Sequence, residues 1–328
     1  MQTPGLDYFE TFSPMVKAST IRIVFAIIII FQWLLRQLDV QNVFLNGDLD
    51  VQVFMAQPRG FVDPQFPSYV CKLNKALYGL KQAPQAWFDK LSHALLQWGF
   101  QASRADSSMF FRHSATDVLI LLVYVDDLLV TRSNSQVFSF ISYLNSIFAI
   151  HDLGRLNYFL AHTPRMLGRT LSQHDGPHFL DIKLYRSTIG ALQYVTLTQS
   201  YIAFVVNRAC QFMANPIETH WLVVKQIFRY LKGTLSYGLQ LHQANFLDLQ
   251  GYTNVDWASY TDDRRSTNGY CLFLGPNLIS WSSTKQRLVS RSSAESKYRG
   301  LVSLTSKIIW VQSVLQELCL SPSTPPLV

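Results

Sequence analysis

Two adjacent carboxylates sit inside an almost wholly apolar run. Residues 118–130 read Val-Leu-Ile-Leu-Leu-Val-Tyr-Val-Asp-Asp-Leu-Leu-Val, and Asp126 and Asp127 are the only charges in it. Burying an ionised carboxylate is costly unless something compensates it. Any fold of this chain must therefore deliver the pair to a turn, a surface or a cation. The simplest solution is two strands joined by a tight acidic turn, with a further strand over 108–112 beside them. A membrane span is excluded for this run, because lipid penalises charges at its centre. That exclusion matters, since 48% of the chain is hydrophobic and 15% charged, against roughly 25% charged in ordinary soluble domains. The other apolar stretch, 23–35, is flanked by Arg22 and Arg36 and interrupted by Gln32. It falls short of the roughly 20 apolar residues a span requires.

The 328 residues suffice for two domains, or for one and a fragment. Thr20 is placed to cap a helix over 21–33, and a short strand follows over 36–40. Residues 54–67, rich in Pro and Gly, read as a loop. An amphipathic helix is expected over 83–99, with Ala86, Phe88, Leu91, Leu95 and Leu96 as its apolar contacts and Gly99 as its stop. Further helix is expected over 136–148, 184–231 and 294–319, and short strands over 249–281. Residues 161–177 form the best candidate boundary. Cys71, Cys210, Cys271 and Cys319 are widely separated. They read as small buried residues of a reducing compartment rather than a zinc or redox site. No signal peptide opens the chain, so an intracellular location, in a cytoplasmic particle or the nucleus, is expected. The net charge of +7 suits a polyanionic partner such as nucleic acid.

Three stretches carry chemistry. Tyr124-Val125-Asp126-Asp127 offers hard carboxylate oxygens that suit magnesium; the plain alternative is an exposed acidic turn. Leu38-Asp39-Val40 places a third carboxylate at the end of a short buried strand. If the two strands are neighbours, Asp39 meets Asp126 and Asp127, and three such groups can hold two metals about 4 Å apart. One metal would activate a primer 3′-hydroxyl and the other would stabilise the leaving pyrophosphate. Phe44, five positions on, either presses on the sugar of an incoming nucleotide or is an ordinary core ring. Leu77-Tyr78-Gly79-Leu80-Lys81-Gln82-Ala83-Pro84-Gln85-Ala86-Trp87 reads as a loop opening a helix. It either packs on a base pair and a triphosphate or is a plain junction.

These stretches, in this order and spacing, resemble the reverse transcriptases of copia-type long-terminal-repeat retrotransposons. The resemblance extends to Tyr8-Phe9-Glu10-Thr11-Phe12-Ser13-Pro14, Gln57-Pro58-Arg59-Gly60-Phe61, and Leu153-Gly154-Arg155-Leu156-Asn157-Tyr158-Phe159-Leu160. It continues through Tyr185-Arg186-Ser187, Gly190-Ala191-Leu192-Gln193-Tyr194, Arg229-Tyr230-Leu231-Lys232-Gly233-Thr234, Asp263-Arg264-Arg265-Ser266-Thr267 and Ile279-Ser280-Trp281. It implies an α+β fold, a right-hand polymerase palm of antiparallel sheet with packed helices, followed by a partial RNase H-like α/β domain. The implied layout is palm with partial fingers over 1–160, a thumb or connection remnant over 161–235, and the RNase H-like part over 236–328. It implies RNA-directed DNA polymerase activity with Asp39, Asp126 and Asp127 as catalytic metal ligands for Mg2+ or Mn2+. Phe44 becomes the sugar gate, and Lys81, Gln82 and Tyr124 contact nucleotide and template. The implied partners are an RNA template, a DNA primer, deoxynucleoside triphosphates and an RNA–DNA hybrid, with no membrane.

The chain also departs from the family pattern. It starts inside that pattern, so an N-terminal truncation of the basic fingers segment is expected. Thr163-Pro164 resembles a stretch normally about forty residues later, more than ordinary loop variation covers, so an internal deletion after Leu160 is expected. Asn254-Val255-Asp256-Trp257 and Ala294-Glu295-Ser296-Lys297 stand where the family shows Asp-x-Asp and Glu-x-Glu. An amide and a cation there weaken a metal site, and the chain ends at Val328 before the family's later acidic segments. Asn254, Asp256, Glu295 and Lys297 thus read as a degenerate RNase H-like site without cleavage activity. Two functions compete: a polymerase, and an inactive element remnant that at most binds nucleic acid. The departures imply inefficient primer extension by this chain alone.

Overall fold

The computed structural model describes residues 2, 15–114, 118–132, 135–155, 176–196, 198–234, 238–260 and 262–328. Two compact units emerge: Met1–Ile21 with Trp33–Leu156, and Arg22–Gln32 with Asn157–Val328. Helix α1 (Ala18–Phe31) has residues in both. It starts three residues earlier than the Thr20 cap predicts. Thr20 is buried inside it, and the acceptor at this end comes from Asp106, whose carboxylate takes the Lys17 amide at 2.9 Å and the Thr20 hydroxyl. A partner more than eighty residues away has displaced the local cap.

The first unit continues with β1 (Leu34–Val40), β2 (Asp48–Ala56), β3 (Val70–Lys75) and α2 (Ala83–Gln97). Then come β4 (Gln101–Ala102), β5 (Met109–His113), β6 (Val118–Tyr124), β7 (Asp127–Arg132), α3 (Ser135–Ile147) and β8 (Ile150–Arg155). Six strands form one antiparallel sheet in the order β4-β5-β6-β7-β1-β8, and β2 pairs with β3 apart from it. The loop expected over 54–67 therefore begins later, because Phe54, Met55 and Ala56 pair with Lys72, Cys71 and Val70 across a long-range register.

Strand alternation explains the burial of β1. Leu38 and Val40 are buried while Gln37 and Asp39 on the opposite face are half-buried. The inner face packs with Leu121, Val123, Leu128 and Val130 against Trp87, Leu91 and Leu95 of α2 and Phe140 and Leu144 of α3. Each such side chain contributes about 1.5–3 kcal/mol on burial. On α2 the buried stripe runs Ala83, Trp87, Leu91, Ala94, Leu95, a helical repeat of three to four residues. Leu91 and Leu95 were expected there; Ala86 and Phe88 are half-buried, and Leu96 is exposed. Gly99 closes the helix with φ +95°.

The second unit holds α4 (Ile182–Val195), α5 (Ala203–Cys210) and α6 (Glu218–Gly233), packed around Tyr185, Ile189, Val206, Val224 and Ile227. It then forms β9 (Leu249–Asp256), β10 (Thr267–Leu274), β11 (Asn277–Lys285) and α7 (Ser293–Glu317). These strands make an antiparallel sheet in the order β11-β10-β9. A Cβ on Gly300 of α7 would come within 2.6 Å of Val255 on β9, so glycine lets helix and sheet approach. The whole is α+β with antiparallel sheets, as expected. The candidate boundary and the deletion junction after Leu160 lie almost wholly outside the described residues. Among those residues no helix is long and apolar enough to cross a membrane.

Candidate active site

Sequence left open whether the strands bearing the two acidic stretches are neighbours, and the structure pairs them. β1 and β7 run antiparallel with Asp39 opposite Asp127. Directly opposed residues share a face, with Cβ atoms about 4.5–5.5 Å apart. The row extends both ways: Tyr124 on β6 pairs with Asp127, and His151 on β8 pairs with Asp39. Four strands thus carry Tyr124, Asp127, Asp39 and His151 side by side. Asp126 lies in the turn between β6 and β7, and its carbonyl accepts the Val40 amide at 3.0 Å. That bond ties the turn to the end of β1.

Like charges directly opposite each other destabilise a sheet. Among the described residues no lysine or arginine forms an ion pair with Asp39, Asp126 or Asp127. The polar partner present is Gln37, whose side-chain amide donates to Asp127 Oδ1 at 2.9 Å. Two opposed carboxylates with a third one residue away are a donor set of the kind hard divalent cations take. As they stand, the side chains do not converge: among the described residues no three acidic, histidine or cysteine groups are gathered closely enough to hold a metal.

The turn itself is strained. Val125 has φ +56°, in the left-handed region that branched side chains avoid. Such a conformation costs on the order of 1–3 kcal/mol and persists where surroundings over-determine it. Here the indole Nε1 of Trp87, on α2, donates to the Val125 carbonyl at 2.8 Å.

Phe44 lies in a 3₁₀ turn, Val43–Asn46, after β1. It is half-buried, and Tyr78 meets it edge-on with ring centroids 5.0 Å apart. Gly47 ends that turn against α2: a Cβ there would be 2.8 Å from the Trp87 backbone nitrogen and 2.9 Å from Ala86. Lys81 is exposed and Gln82 half-buried just before α2. Gln2 engages both, accepting the Lys81 amide at 2.8 Å and donating to Gln82 Oε1 at 2.7 Å. Sequence reasoning quoted Trp87 but gave it no role, and it missed Gln37 and His151. For Trp87 the available signal was its place in the helical stripe with Ala83 and Leu91. For His151 there was none, since the β8 pairing is long-range.

The second acidic cluster is built differently. Asn254 and Asp256 are exposed on β9, opposite Gly269 and Thr267 of β10, so neither faces another acid across the sheet. Asn254 and Lys297 border one groove together with Tyr252 and Leu301. Glu295 serves the start of α7. Its amide donates to the Ser292 hydroxyl, its carboxylate takes the Arg291 amide at 2.7 Å, and Arg299 pairs with it at 2.6 Å. That is a capping arrangement. Asp263 is likewise structural: burial pushes its carboxyl up, but Lys285 at 2.7 Å and the Arg265 amide hold it below the usual value. In the Tyr185 motif, the phenol donates to the Ala209 carbonyl at 3.0 Å, and burial pushes its pKa well above the usual phenol value.

Comparison with known proteins places the chain in a family. Residues 1–203 match the family described as reverse transcriptase (RNA-dependent DNA polymerase). The Retrovirus-related Pol polyprotein from transposon RE2 of Arabidopsis thaliana is 40% identical over 361 residues, covering 100% of this chain and 25% of that protein. That from transposon RE1 of the same plant is 41% identical with the same coverage. That from transposon TNT 1-94 of Nicotiana tabacum is 32% identical over 97% of this chain and 27% of its own. The chain belongs to the reverse transcriptase family of copia-type retrotransposon Pol polyproteins, and spans about a quarter of the length of the curated relatives it matches. The RE2 alignment runs to 361 positions against 328 residues here, a surplus of 33. A structure titled as the foamy viral protease-reverse transcriptase dRH in complex with ds DNA covers 89% of this chain and 50% of its own. Its TM-score is 0.25 at 13% identity, too loose a likeness to carry an argument.

Proposed function

We propose that the first unit is a polymerase palm that carries out RNA-directed DNA synthesis by two-metal nucleotidyl transfer. The observation that carries this reading is the cross-strand register of Asp39 with Asp127, with Asp126 one residue away. Bound Mg2+ or Mn2+ would supply charge neutralisation for the primer hydroxyl, the triphosphate and the pyrophosphate. The chain's own groups do the rest. Asp39, Asp126 and Asp127 hold the cations, which requires Asp127 to exchange its Gln37 partner for metal. Phe44, backed by Tyr78, presents a ring toward the sugar. Lys81 and Gln82 meet triphosphate and template, and Tyr124 extends the carboxylate row toward the primer end. RNA template, DNA primer, deoxynucleoside triphosphates and their RNA–DNA hybrid product are the partners. A net charge of +7 favours that polyanion, with affinity falling steeply as salt rises.

In this reading the palm with part of the fingers occupies 1–160, a thumb or connection remnant 161–235, and an RNase H-like part 236–328. The surplus of 33 alignment positions supports an internal deletion. Asn254 and Lys297, with Glu295 committed to capping, support an RNase H-like part that does not cleave RNA.

Primer extension on poly(A)–oligo(dT) with Mg2+ or Mn2+ tests the polymerase reading. Metal-dependent incorporation, even of a few nucleotides, should be abolished in Asp126→Asn/Asp127→Asn. Salt-sensitive binding of the template–primer with no incorporation by either protein would overturn it and leave nucleic-acid binding alone.

A further inference from the structure

We infer that Trp87 is a positioning residue that holds the acidic turn in its active shape through its indole N–H; this rests on the palm reading above. Tyr124 and Asp127 close a two-residue hairpin whose central residues are Val125 and Asp126. Of these two, only Val125 has positive φ, at +56°. A hairpin with positive φ at its first central position is the kind in which glycine normally stands there. A valine in that place pays for its branched side chain, so the turn does not select this conformation unaided.

Three contacts oppose that strain. The Val40 amide binds the Asp126 carbonyl and Met15 bridges to Tyr124, both through backbone. The third is the Trp87 indole on the Val125 carbonyl at 2.8 Å, and it comes from a side chain. Trp87 is fully buried, and Phe148 meets its ring edge-on at 5.1 Å, so the donor is fixed in place. Its own backbone nitrogen lies where only a glycine at position 47 fits, which ties the same residue to the turn carrying Phe44. Trp87 therefore links the acidic hairpin, the Phe44 turn and the start of α2. Loss of the indole N–H frees Val125 to relax and swings the two aspartates off Asp39.

The test uses the full chain, with Trp87→Phe, Val125→Gly, the double variant, and Trp98→Phe as a packing control. Hydrogen exchange by mass spectrometry follows peptides covering 118–132. Trp87→Phe should speed exchange at the turn about tenfold, the scale of one buried hydrogen bond, while Trp98→Phe leaves it unchanged. Val125→Gly removes the strain, so the double variant should return to within about twofold of the Val125→Gly protein. Calorimetry with Mn2+ should show the same pattern in affinity. Unchanged turn exchange in Trp87→Phe, or no rescue by glycine, overturns the inference. Should Trp87→Phe fail to fold, the indole proton of Trp87 in the unaltered protein decides, assigned through its contacts to Phe148. A downfield indole proton shift with a shallow temperature dependence supports the bond, and the shift of an indole without a hydrogen-bond acceptor refutes it. Mn2+ binding unaffected by Asp126→Asn would sink the palm reading instead, and the exchange results would still report on the turn.

Discussion

Two acidic clusters of this chain both draw on antiparallel strands, the second together with helix α7, yet their carboxylates have different surroundings. In the first, Asp39 and Asp127 face each other across β1 and β7, with no protein cation paired to them among the described residues. In the second, Asp256 lies opposite Thr267, Lys297 stands in the groove with Asn254, and Glu295 is occupied by Ser292, Arg291 and Arg299. The first arrangement sets two carboxylates opposite each other, with the Gln37 amide on Asp127 as the neutral partner. In the second, the Glu295 carboxylate is taken up by the Arg291 amide and Arg299, and Asp256 is exposed on β9. Acid content alone does not separate the two clusters; the register of the strands and the partners of each carboxylate do.

The comparison breaks most visibly on metal affinity. Asp127→Asn should weaken Mn2+ binding at least tenfold by calorimetry, whereas Asp256→Asn and Glu295→Gln should leave it within about twofold, a tenfold change corresponding to about 1.4 kcal/mol. Equal losses from both clusters would show that the second also takes metal.

A second contrast lies in the glycines that pack each region. Gly47→Ala meets backbone at 2.8 Å, and Gly300→Ala meets the side chains of Val255 at 2.6 Å and Asn268 at 2.9 Å. Backbone cannot swing aside, so Gly47→Ala should cost about 3 kcal/mol in denaturant unfolding. Gly300→Ala should cost about 1–2 kcal/mol, since side chains shift and alanine is favoured in a helix by about 1 kcal/mol. A larger loss at position 300 would mean that the β9–α7 contact is the stiffer of the two.

The smallest effect is alkaline. Burial raises the pKa of Tyr185, Tyr260, Cys210 and Cys271, all in the second unit. Each is an acid whose neutral form the fold favours, so the unfolded chain gives up its proton first. Stability is then full below the ordinary thiol and phenol values and falls as pH passes them. Arg22 acts in the opposite sense. Burial lowers its guanidinium to about 10, so its contribution improves with rising pH only above that point, after the decline has begun. Proteolysis mapped by mass spectrometry near pH 8 and near pH 10 should show cleavage of the second unit rising first, and Tyr185→Phe should blunt the rise. Earlier opening of the first unit would contradict this.

Much of the site was legible in residue order. An apolar run broken by Asp126 and Asp127 reads most simply as a hairpin, because a turn brings both carboxylates out between buried strands, and β6 and β7 are joined there. A helix opening at Ala83 with Pro84 in its first turn follows from local preferences, as does its end at Gly99. Family resemblance supplied the roles of Phe44, Lys81 and Gln82, which spacing alone left open.

Other features were decided by tertiary structure. The pairing of Asp39 with Asp127 and His151 depends on registers between strands up to more than a hundred residues apart, and no local pattern encodes a register. The start of α1 moved because Asp106 provides the acceptor that Thr20 was expected to supply. The left-handed Val125 contradicts its own propensity, and becomes intelligible only with the Trp87 indole on its carbonyl. Glu295, an acid in sequence, sits in the first turn of α7 with its carboxylate on the Arg291 amide and Arg299. Sequence by itself determined which groups are costly to bury and where the chain must turn, since those are properties of single residues and their near neighbours. Tertiary structure decided which costly groups are paired and which are left facing each other, since that depends on partners brought from elsewhere in the chain.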